Sequence, residues 1–362
     1  MKNKDVAIIT GDFINALSVY KSIKRLNFKG EIYVVKSSRY NLLPVIYKNN
    51  LIEVEIEKSN DIISFIKDFP KITNKYLFLT NEIYHQTLFD CKDVLKEHNT
   101  FFYFGNRSPF PLFNKAKFST LFKDNKLVTM PQTLELEHWN DNILGFPLVL
   151  KFKKSFKGEL KTLPVKIISS QNEMTIYLNY INKKGFDNTD LIVQEKLSSK
   201  AEDNISITGW YSNTDEFYYQ TRKILQHPNE GGTGDLVELI NLDPRLKEIS
   251  KSILNELDYN GPFEIEFIKS QVNDQFVLLE LNPRFWMQHG LIERLSGDRI
   301  VSNYLSLEAN HSKKYKYWVN LPHYITLLLK FNKKAWRYLP KVIFQSYSPI
   351  SLKELLIYVI RK

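Results

Sequence analysis

The sequence contains little cysteine and no long run of apolar residues. Cys91 is the single cysteine among 362 residues, which excludes an intrachain disulfide framework and a metal site built from several cysteines. No apolar run approaches the roughly 20 residues of a membrane-spanning helix, and the first residues show no signal-peptide pattern. We therefore expect a cytoplasmic protein without a transmembrane segment.

Arginine is also scarce, although the chain is basic. The formal net charge is +10, but only 10 of the 50 basic residues are arginine, and the lysines are dispersed. Recognition of bases and phosphates relies on the forked donors of arginine. A non-catalytic nucleic-acid-binding scaffold is thus an alternative that the composition disfavours. With 43% hydrophobic and 25% charged residues, we expect a globular chain of two or three lobes.

The chain has no Gly-x-Gly-x-x-Gly motif, which disfavours dinucleotide binding despite a Rossmann-like beginning. Gly105, Pro109 and Pro111 mark a boundary, so we predict a Rossmann-like domain over residues 1–110. Buried-type strands alternate with a helical pattern there, which predicts a parallel sheet. Its elements are predicted at 6–10, 14–26, 32–35, 76–80 and 101–104.

The most informative stretch runs from residue 261 to residue 286. Residues 263–269 alternate apolar and polar side chains, residues 276–282 are apolar enough for a sheet core, and Asn273 and Asp274 are turn residues. These features predict a β-hairpin. Side chains two residues apart on a strand share a face, so one polar face of the hairpin would hold Glu264, Glu266, Glu280 and Asn282.

Three carboxylates on one partly buried face require cations, because unpaired ionised carboxylates are costly to desolvate and repel one another. Hard oxygen ligands of this kind suit magnesium. The alternative is a half-exposed hairpin whose glutamates face solvent. Pro283 ends the second strand, and Arg284 follows where a phosphate-binding cation would be needed.

Two stretches carry a family resemblance. Residues 280–286, Glu-Leu-Asn-Pro-Arg-Phe-Trp, preceded by Ile-Glu-Phe at 265–267, resemble the metal-binding signature of the ATP-grasp superfamily. The likeness is to its carboxylate-amine ligase branch, which includes the ATP-grasp domain of the carbamoyl-phosphate synthase large chain. Residues 146–151, Phe-Pro-Leu-Val-Leu-Lys, resemble a strand of the ATP-grasp core.

The resemblance implies a mixture of α/β and α+β architecture. A Rossmann-like parallel-sheet lobe would be followed by an ATP-grasp domain of two α+β subdomains at 111–310, and by a short helical C-terminal extension at 311–362. The nucleotide lobe would cover about 111–196, and the metal and phosphate lobe about 197–310.

The resemblance also implies metal ligands. Glu266, Glu280 and Asn282 would hold two Mg²⁺ ions, with Mn²⁺ as the alternative, between the protein and the β and γ phosphates of ATP. Glu264 shares their face but lies outside the matched positions, so we expect it to support these ligands without binding metal.

Lysines are the expected phosphate ligands. Lys151 ends a strand between apolar side chains, where an unpaired ammonium would be costly to desolvate, so we expect it to neutralise a buried anion. The resemblance makes that anion an ATP phosphate. It also places a phosphate-binding lysine at the start of a helix, for which Lys115 is favoured and Lys117 fits nearly as well.

Other nucleotide contacts are implied by the resemblance alone. The family's glycine-rich loop corresponds to residues 153–159, which contain one glycine. Its candidate phosphate donors are Ser155, Lys157 and Gly158. Glu195 and Leu197 are expected at the adenine, and Asp203 or its neighbour Asn204 at the ribose.

The activity implied is that of an ADP-forming ligase, which activates a carboxylate as an acyl phosphate and joins it to an amine. Arg284 and Arg222 would be catalytic, because a guanidinium suits the phosphorylated intermediate. Small-molecule or glycan substrates fit, in surface-polysaccharide or secondary-metabolite modification. The rival enzyme class is a glycosyltransferase-like protein, which would more naturally show an Asp-x-Asp pair or a Glu-x7-Glu site than Glu-x-Asn-Pro-Arg.

Several alternatives stay open from sequence. The flexible segment 227–234 faces the acceptor substrate or is a loose surface loop. His289 contacts the second substrate or packs in a helix. The aromatic and basic C-terminal residues pack on the body as short amphipathic helices or contact a membrane surface peripherally. Whether the chain is a monomer or a homodimer also stays open.

Overall fold

The structure is a computed structural model of the chain. It describes residues 5–36, 41–103, 105, 107–122, 124–157, 160–198, 200–228, 231–271 and 275–361. The predicted turn residues Asn273 and Asp274 and the candidate phosphate donor Gly158 lie outside the described residues. None of the helices that the structure describes has the length and apolar character required to cross a bilayer.

The first lobe is a parallel sheet flanked by helices, as predicted. Its central strand, Val6–Ile9, is fully buried, as a strand covered by helices on both faces must be. The strand order is β3-β2-β1-β4-β5, with β1 Val6–Ile9, β2 Glu31–Val35, β3 Ile52–Val54, β4 Lys75–Phe78 and β5 Thr100–Phe101. The helices of this lobe are α1 Ile14–Arg25, α2 Leu42–Tyr47, α3 Asp61–Lys67, α4 His85–Asp90 and α5 Lys92–Glu97. Two further helices, α6 Phe110–Phe113 and α7 Lys115–Leu121, lead from this lobe to the second.

The second lobe is built on a small antiparallel sheet with the order β10-β7-β11-β6. Helix α8 packs Met174 and Ile181 onto one face of this sheet. The glycine-poor segment forms a separate two-stranded hairpin, β8 with β9. The elements are β6 Thr133–Glu135, β7 Leu148–Phe152, β8 Phe156–Lys157, β9 Leu160–Lys161, β10 Lys166–Ile168, α8 Gln171–Asn182 and β11 Leu191–Glu195.

The third lobe contains the largest sheet in the described part of the chain, with the order β16-β15-β12-β13-β14-β17-β18. The predicted hairpin of residues 261–286 is confirmed as β15 with β16. Phe263, Ile265 and Phe267 point from β15 into the core. The elements up to residue 305 are β12 Asn204–Tyr211, β13 Glu216–His227, β14 Thr233–Ile240, α9 Pro244–Glu256, β15 Gly261–Lys269, β16 Phe276–Asn282, α10 His289–Ser296 and α11 Arg299–Leu305.

The C-terminal segment differs from the expected helical extension, because it also adds two strands to the largest sheet. The first of them pairs with β14, and Trp318 at its centre is fully buried. Aromatic and β-branched residues favour a pleated, buried strand, which explains why Tyr-Trp-Val joins the sheet. The elements are β17 Tyr317–Val319, α12 Leu321–Leu329, α13 Lys333–Gln345, β18 Ser346–Tyr347 and α14 Leu352–Arg361.

Two loops join the first lobe to the largest sheet. The backbone N–H of Phe285 donates to the carbonyl oxygen of Leu79 at 2.9 Å. Asn15 Nδ2 donates to the carbonyl oxygens of Thr80 at 2.6 Å and Phe285 at 3.1 Å. The loop after β4 is therefore fixed against the loop after β16, which carries Pro283 and Arg284.

Candidate active site

The acidic face predicted for the hairpin is present. Glu264 lies opposite Asn282 and Glu266 opposite Glu280 in the register of β15 and β16. Asn282 Nδ2 lies 3.0 Å from Glu264 Oε2 and 3.5 Å from Glu280 Oε1. Glu264 and Asn282 are buried, so the alternative in which these glutamates merely face solvent is excluded for Glu264.

Two lysines neutralise two of these acids. Lys115 Nζ lies 3.2 Å from Glu280 Oε2, and Lys223 Nζ lies 3.0 Å from Glu266 Oε2. The ammonium of Lys115 lowers the pKa of Glu280 to about 2, in spite of its burial. Glu280 in turn raises the pKa of Lys115. Glu280 is therefore held ionised by a protein cation, and Glu266 has a lysine partner of its own.

Glu264 behaves in the opposite way. Burial first, and then the charge of Glu266, raise the pKa of Glu264 to about 8. Asn282 donates to it, but no lysine contact comparable to those of Glu266 and Glu280 is present among the described residues. At neutral pH Glu264 therefore favours its protonated form, and its expected role as a support for the metal ligands stays a prediction.

Arg284 connects the hairpin to the first lobe. Its Nη2 donates to Glu82 Oε1 at 3.2 Å and to Asn282 Oδ1 at 3.1 Å. Ser155 Oγ donates to Glu82 Oε2 at 2.8 Å. Burial would raise the pKa of Glu82, but Arg284 and Lys115 hold it below its usual range. Ser155 and Arg284, both predicted site residues, thus meet at a glutamate that the sequence analysis did not select.

Lys151 reaches the same region from β7. Its Nζ donates to Gln194 Oε1 at 2.6 Å, and Gln194 Nε2 donates to Thr133 Oγ1 at 2.9 Å. Burial first, and then repulsion from Lys115, lower the pKa of Lys151 to about 8, while Glu280 and Glu266 oppose that shift. Because burial and Lys115 disfavour the charged form of Lys151, a nearby anion would stabilise its ammonium group.

The residues expected at the adenine and ribose lie where the second lobe meets the third. Glu195 ends β11, and its Oε1 accepts from the backbone N–H of Gln132 at 2.7 Å. The carbonyl oxygen of Leu197 accepts from the backbone N–H of Gln271 at 3.3 Å. Asp203 Oδ2 accepts from Gln271 Nε2 at 3.0 Å and from Ser198 Oγ. Their predicted roles at adenine and ribose stay predictions.

Arg222 is not brought to the acidic face. It pairs with Glu238, with Nη2 2.7 Å and Nε 2.9 Å from Glu238 Oε2. Neighbouring residues on a strand point to opposite faces, and it is Lys223 that reaches Glu266. The catalytic role predicted for Arg222 therefore stays a prediction that these contacts do not support, and the side chain that meets Glu266 is that of Lys223, which was not selected from the sequence.

The positions of two side chains bear on further alternatives. Lys117 is exposed, whereas Lys115 lies against Glu280. His289 is fully buried between the rings of Phe285 and Trp286, and burial lowers its pKa to about 4. His289 therefore packs in the helix, the second of the two alternatives for this residue.

The donor atoms fit magnesium held jointly by protein and substrate. The oxygens of Glu266, Glu280 and Asn282 converge on one face. Within the described ranges, no group of three or more His, Cys, Asp or Glu side chains is placed to hold a metal ion. Magnesium is usually bound through one or two carboxylates with waters and substrate phosphates, which matches this set.

Comparisons with known proteins agree with this geometry. Residues 241–314, which contain β15 and β16, match the family model described as carbamoyl-phosphate synthase L chain, ATP binding domain. Solved structures match most of the chain. The chain has the ATP-grasp fold. The ATP-grasp resemblance predicted from residues 146–151 and 265–286 is thereby confirmed.

Three solved structures illustrate the match. Rhizobium etli pyruvate carboxylase T882A with acetyl coenzyme A is 14% identical, with a TM-score of 0.63, over 84% of this chain and 28% of that chain. N5-carboxyaminoimidazole synthetase from Staphylococcus aureus complexed with ADP is 14% identical, with a TM-score of 0.59, over 86% and 79%. L-amino acid ligase from Bacillus licheniformis is 12% identical, with a TM-score of 0.58, over 85% and 76%.

These identities show a shared ATP-grasp fold and not a shared substrate. The chain spans only about a quarter of the pyruvate carboxylase chain, so activities of that whole enzyme are not transferred. A comparison with curated protein sequences found no match.

Proposed function

We propose that this ATP-grasp protein is an ATP-dependent ligase that joins a carboxylate to an amine and releases ADP and phosphate. The observation that carries the proposal is the acidic face of β15 and β16, with lysines from α7, β7 and β13 gathered around it. An anionic site bordered by three ammonium groups can bind a metal–triphosphate complex, whose charges are of both signs.

The reaction balances without a protein nucleophile. A carboxylate oxygen of the substrate attacks the γ phosphorus of ATP, the bond to the β-phosphate oxygen breaks, and ADP leaves. The amine nitrogen then attacks the acyl carbon, the bond to the phosphate oxygen breaks, and the nitrogen loses a proton. Positioning and electrostatic stabilisation supply most of what these steps need.

The lysines would hold the phosphates. Lys115 and Lys151 are proposed for the α and β phosphates, and Lys223, which the structure adds, for the γ phosphate or the acyl phosphate. Each ammonium now contacts a carboxylate or amide oxygen, which a phosphate oxygen could replace. Magnesium bound by Glu266, Glu280 and Asn282 would disperse charge on the transferred phosphoryl group.

Arg284 is proposed to bind the acyl phosphate. Glu82 and Asn282 both accept from its Nη2, so the guanidinium plane is fixed beside the metal ligands before substrate arrives. Fixed donors stabilise developing negative charge without reorganisation. Ser155, Glu195, Leu197 and Asp203 are proposed for the nucleotide, with Ser155 nearest the phosphates because it bonds Glu82.

The comparisons support nucleotide use. The matching family model is that of an ATP binding domain, and one matched enzyme was solved with ADP. The substrates are proposed by chemistry only, as a carboxylate and an amine that are small molecules or parts of a glycan.

The test is a screen for ADP release over pairs of carboxylates and amines, including amino acids and uronic acids, with ATP and Mg²⁺. At least one pair should stimulate ADP release, and Glu280→Gln should lower that rate by about 100-fold or more, as expected when a phosphoryl-transfer metal ligand is lost. The matched control is Glu248→Gln, an exposed glutamate on α9, which should keep the full rate. Isothermal titration should detect ATP binding.

The proposal fails if no pair raises ADP release above the Glu280→Gln level and titration shows no ATP binding. ATP binding without any stimulated release would keep the nucleotide site but reject the ligase activity for the pairs tested.

A further inference from the structure

The net positive charge of the chain comes from its C-terminal part. Residues 309–362 contain 11 of the 50 lysines and arginines but one of the 40 acidic residues, Glu354. Residues 1–308 therefore have no formal net charge, and the whole +10 belongs to the last 54 residues. Lysine is spread along the whole sequence, so this asymmetry is due to the acidic residues, of which 39 of 40 precede residue 309.

The same segment exposes large apolar side chains. Leu329, the last residue of α12, is 73% exposed, and Phe331, in the turn between α12 and α13, is 81% exposed. Phe344 near the end of α13 is 83% exposed. Scattered single apolar residues on a surface are ordinary, whereas a concentrated group indicates an interaction site.

Helix α13 separates its two faces clearly. Ala335 and Val342 are buried against α12 and β17. The indole Nε1 of Trp336 donates to the carbonyl oxygen of Leu328 at 3.1 Å, which holds the ring beside the end of α12. The outward residues alternate aromatic and basic side chains and define the C-terminal basic face: Phe331, Lys333, Trp336, Arg337, Lys341 and Phe344.

Helix α14 also exposes apolar side chains along one face. Leu355 and Tyr358 pack on the core, while Leu352, Leu356 and Ile360 on its other side are 60% exposed or more. Exposed leucine and isoleucine at a spacing of four residues form one stripe along a helix.

We propose that the C-terminal basic face, together with the outer stripe of α14, docks on the surface of an anionic lipid bilayer. Basic side chains would contact the lipid headgroups, and Phe331, Trp336 and Phe344 would insert at the level of the interface. Surface-lying helices with aromatic and apolar residues among lysines and arginines bind anionic bilayers in this way. The helices lie on the surface, since none of those described can span a bilayer.

Charge selects this occupant over a second copy of the chain. Residues 309–353 contain no acidic residue, so two copies meeting through this face would place like charges together, which is unfavourable. An anionic bilayer complements the charge, and it accepts outward helix faces without a fitted groove. Because the rest of the chain has no net charge, electrostatic attraction would turn this face toward the membrane.

The experiment is co-sedimentation of the full chain with phosphatidylcholine vesicles, with and without about 30% phosphatidylglycerol, at low and high salt. We expect binding to the anionic vesicles at low salt and its loss in high salt or with neutral vesicles. The triple variant Lys333→Gln, Arg337→Gln, Lys341→Gln should weaken binding by about 100-fold, since each basic residue near such a surface contributes about fivefold.

A second variant tests the apolar part. Phe331→Ser with Phe344→Ser should weaken binding by about tenfold or more, because two buried aromatic anchors are lost. The matched controls are at α8. Ile176→Ser with Tyr180→Ser removes two exposed apolar side chains from this helix, and Lys183→Gln with Lys184→Gln removes two exposed charges directly after it. Neither control should change binding, and circular dichroism should show every variant folded.

The proposal is overturned if the chain does not sediment with anionic vesicles at low salt, or if the α8 controls lose as much binding as the C-terminal variants. It is also overturned if sedimentation velocity shows a dimer that Phe331→Ser with Phe344→Ser dissociates, because the face would then be occupied by a second copy.

Discussion

At the scale of single residues, the site is a balance between acids and lysines. A set of carboxylates as close as Glu266 and Glu280 requires positive charge, and the chain supplies it through Lys115 and Lys223 even without a metal. Breaking one buried ion pair by removing one partner leaves an uncompensated charge and is more damaging than its distance suggests.

Lys223→Met should therefore have a larger effect than the loss of an ordinary ion pair. Glu266 would lose the partner of its Oε2, and the proposed phosphate contact would disappear, so we expect kcat/KM for ADP release to fall by about 100-fold or more. The matched control is Lys251→Met, which removes another lysine–glutamate pair, with Glu216 at 2.9 Å on the surface. That variant should stay within about twofold of the parent rate. Equal losses in both variants would contradict the role assigned to Lys223.

Glu264 makes stability fall as the pH rises. Its pKa of about 8 in the folded chain exceeds that of an unfolded glutamate, about 4.3. Between these values the unfolded chain releases the proton and the folded chain retains it, so the contribution of Glu264 is complete below about pH 4.3 and is lost as the pH rises through 8.

Glu264→Gln removes the ionisable group and with it the loss of stability at high pH. Without nucleotide and magnesium, its Tm should exceed that of the parent chain at pH 8 and lie near it at pH 5, as measured by differential scanning fluorimetry. Glu248→Gln, on an exposed glutamate, serves as the control for a change of glutamate to glutamine. If Glu264→Gln were destabilised more at pH 8 than at pH 5, the carboxyl would be ionised in the folded chain and the burial argument would be wrong.

At the scale of elements, the hairpin could be predicted because the alternation of apolar and polar residues over 263–269 indicates which side chains share a face. Whether Arg222 or Lys223 reaches the acidic face could not be predicted. Both lie on β13, and the one that meets Glu266 depends on the register of β12 between β13 and β15, in which Ser206 lies opposite both Glu266 and Thr221. Register follows from tertiary pairing and shifts every side chain to the other face when it moves by one residue.

The start of α7 is the element that places Lys115. Asn114 caps it, and Asn114 Oδ1 accepts from the backbone N–H groups of Ala116 at 3.1 Å and Lys117 at 3.2 Å. Asn114→Ala should lower stability by about 1 kcal/mol and also weaken ATP binding by about fivefold or more, because the lysine beside the cap loses its fixed position.

A second capped helix gives the matched control. Asn332 caps α13, with Asn332 Oδ1 accepting from the N–H of Ala335 at 3.0 Å. Asn332→Ala should lower Tm by a similar amount and leave ATP affinity unchanged, while Asn114→Ser should restore both properties. A parallel loss of ATP affinity in Asn332→Ala would mean that the effect is one of general stability.

At the scale of the whole molecule, residues from all three lobes contribute to the candidate site. Glu82 follows the carboxyl end of β4, a position where open α/β sheets place ligand-binding residues, and it meets Arg284 some 200 positions later in the chain. That contact could not be predicted, because it depends on how the first lobe lies against the loop after β16. The C-terminal strands were missed for a similar reason, since β17 is three residues long and is stabilised by β14.

The last strands make the C-terminal segment part of the body and not an appendage. A chain ending at residue 308 would lose β17, leave the edge of β14 unpaired and uncover the apolar residues packed around Trp318. Burial of apolar area is the main driving force of folding, so we expect this truncation to lack a cooperative thermal transition. A chain ending at residue 351 loses only α14, and with it the contact of Lys21 Nζ with Glu354 at 2.7 Å. It should unfold cooperatively with a lower Tm. Cooperative unfolding and ATP binding by the chain ending at residue 308 would show instead that the largest sheet is complete without its last two strands.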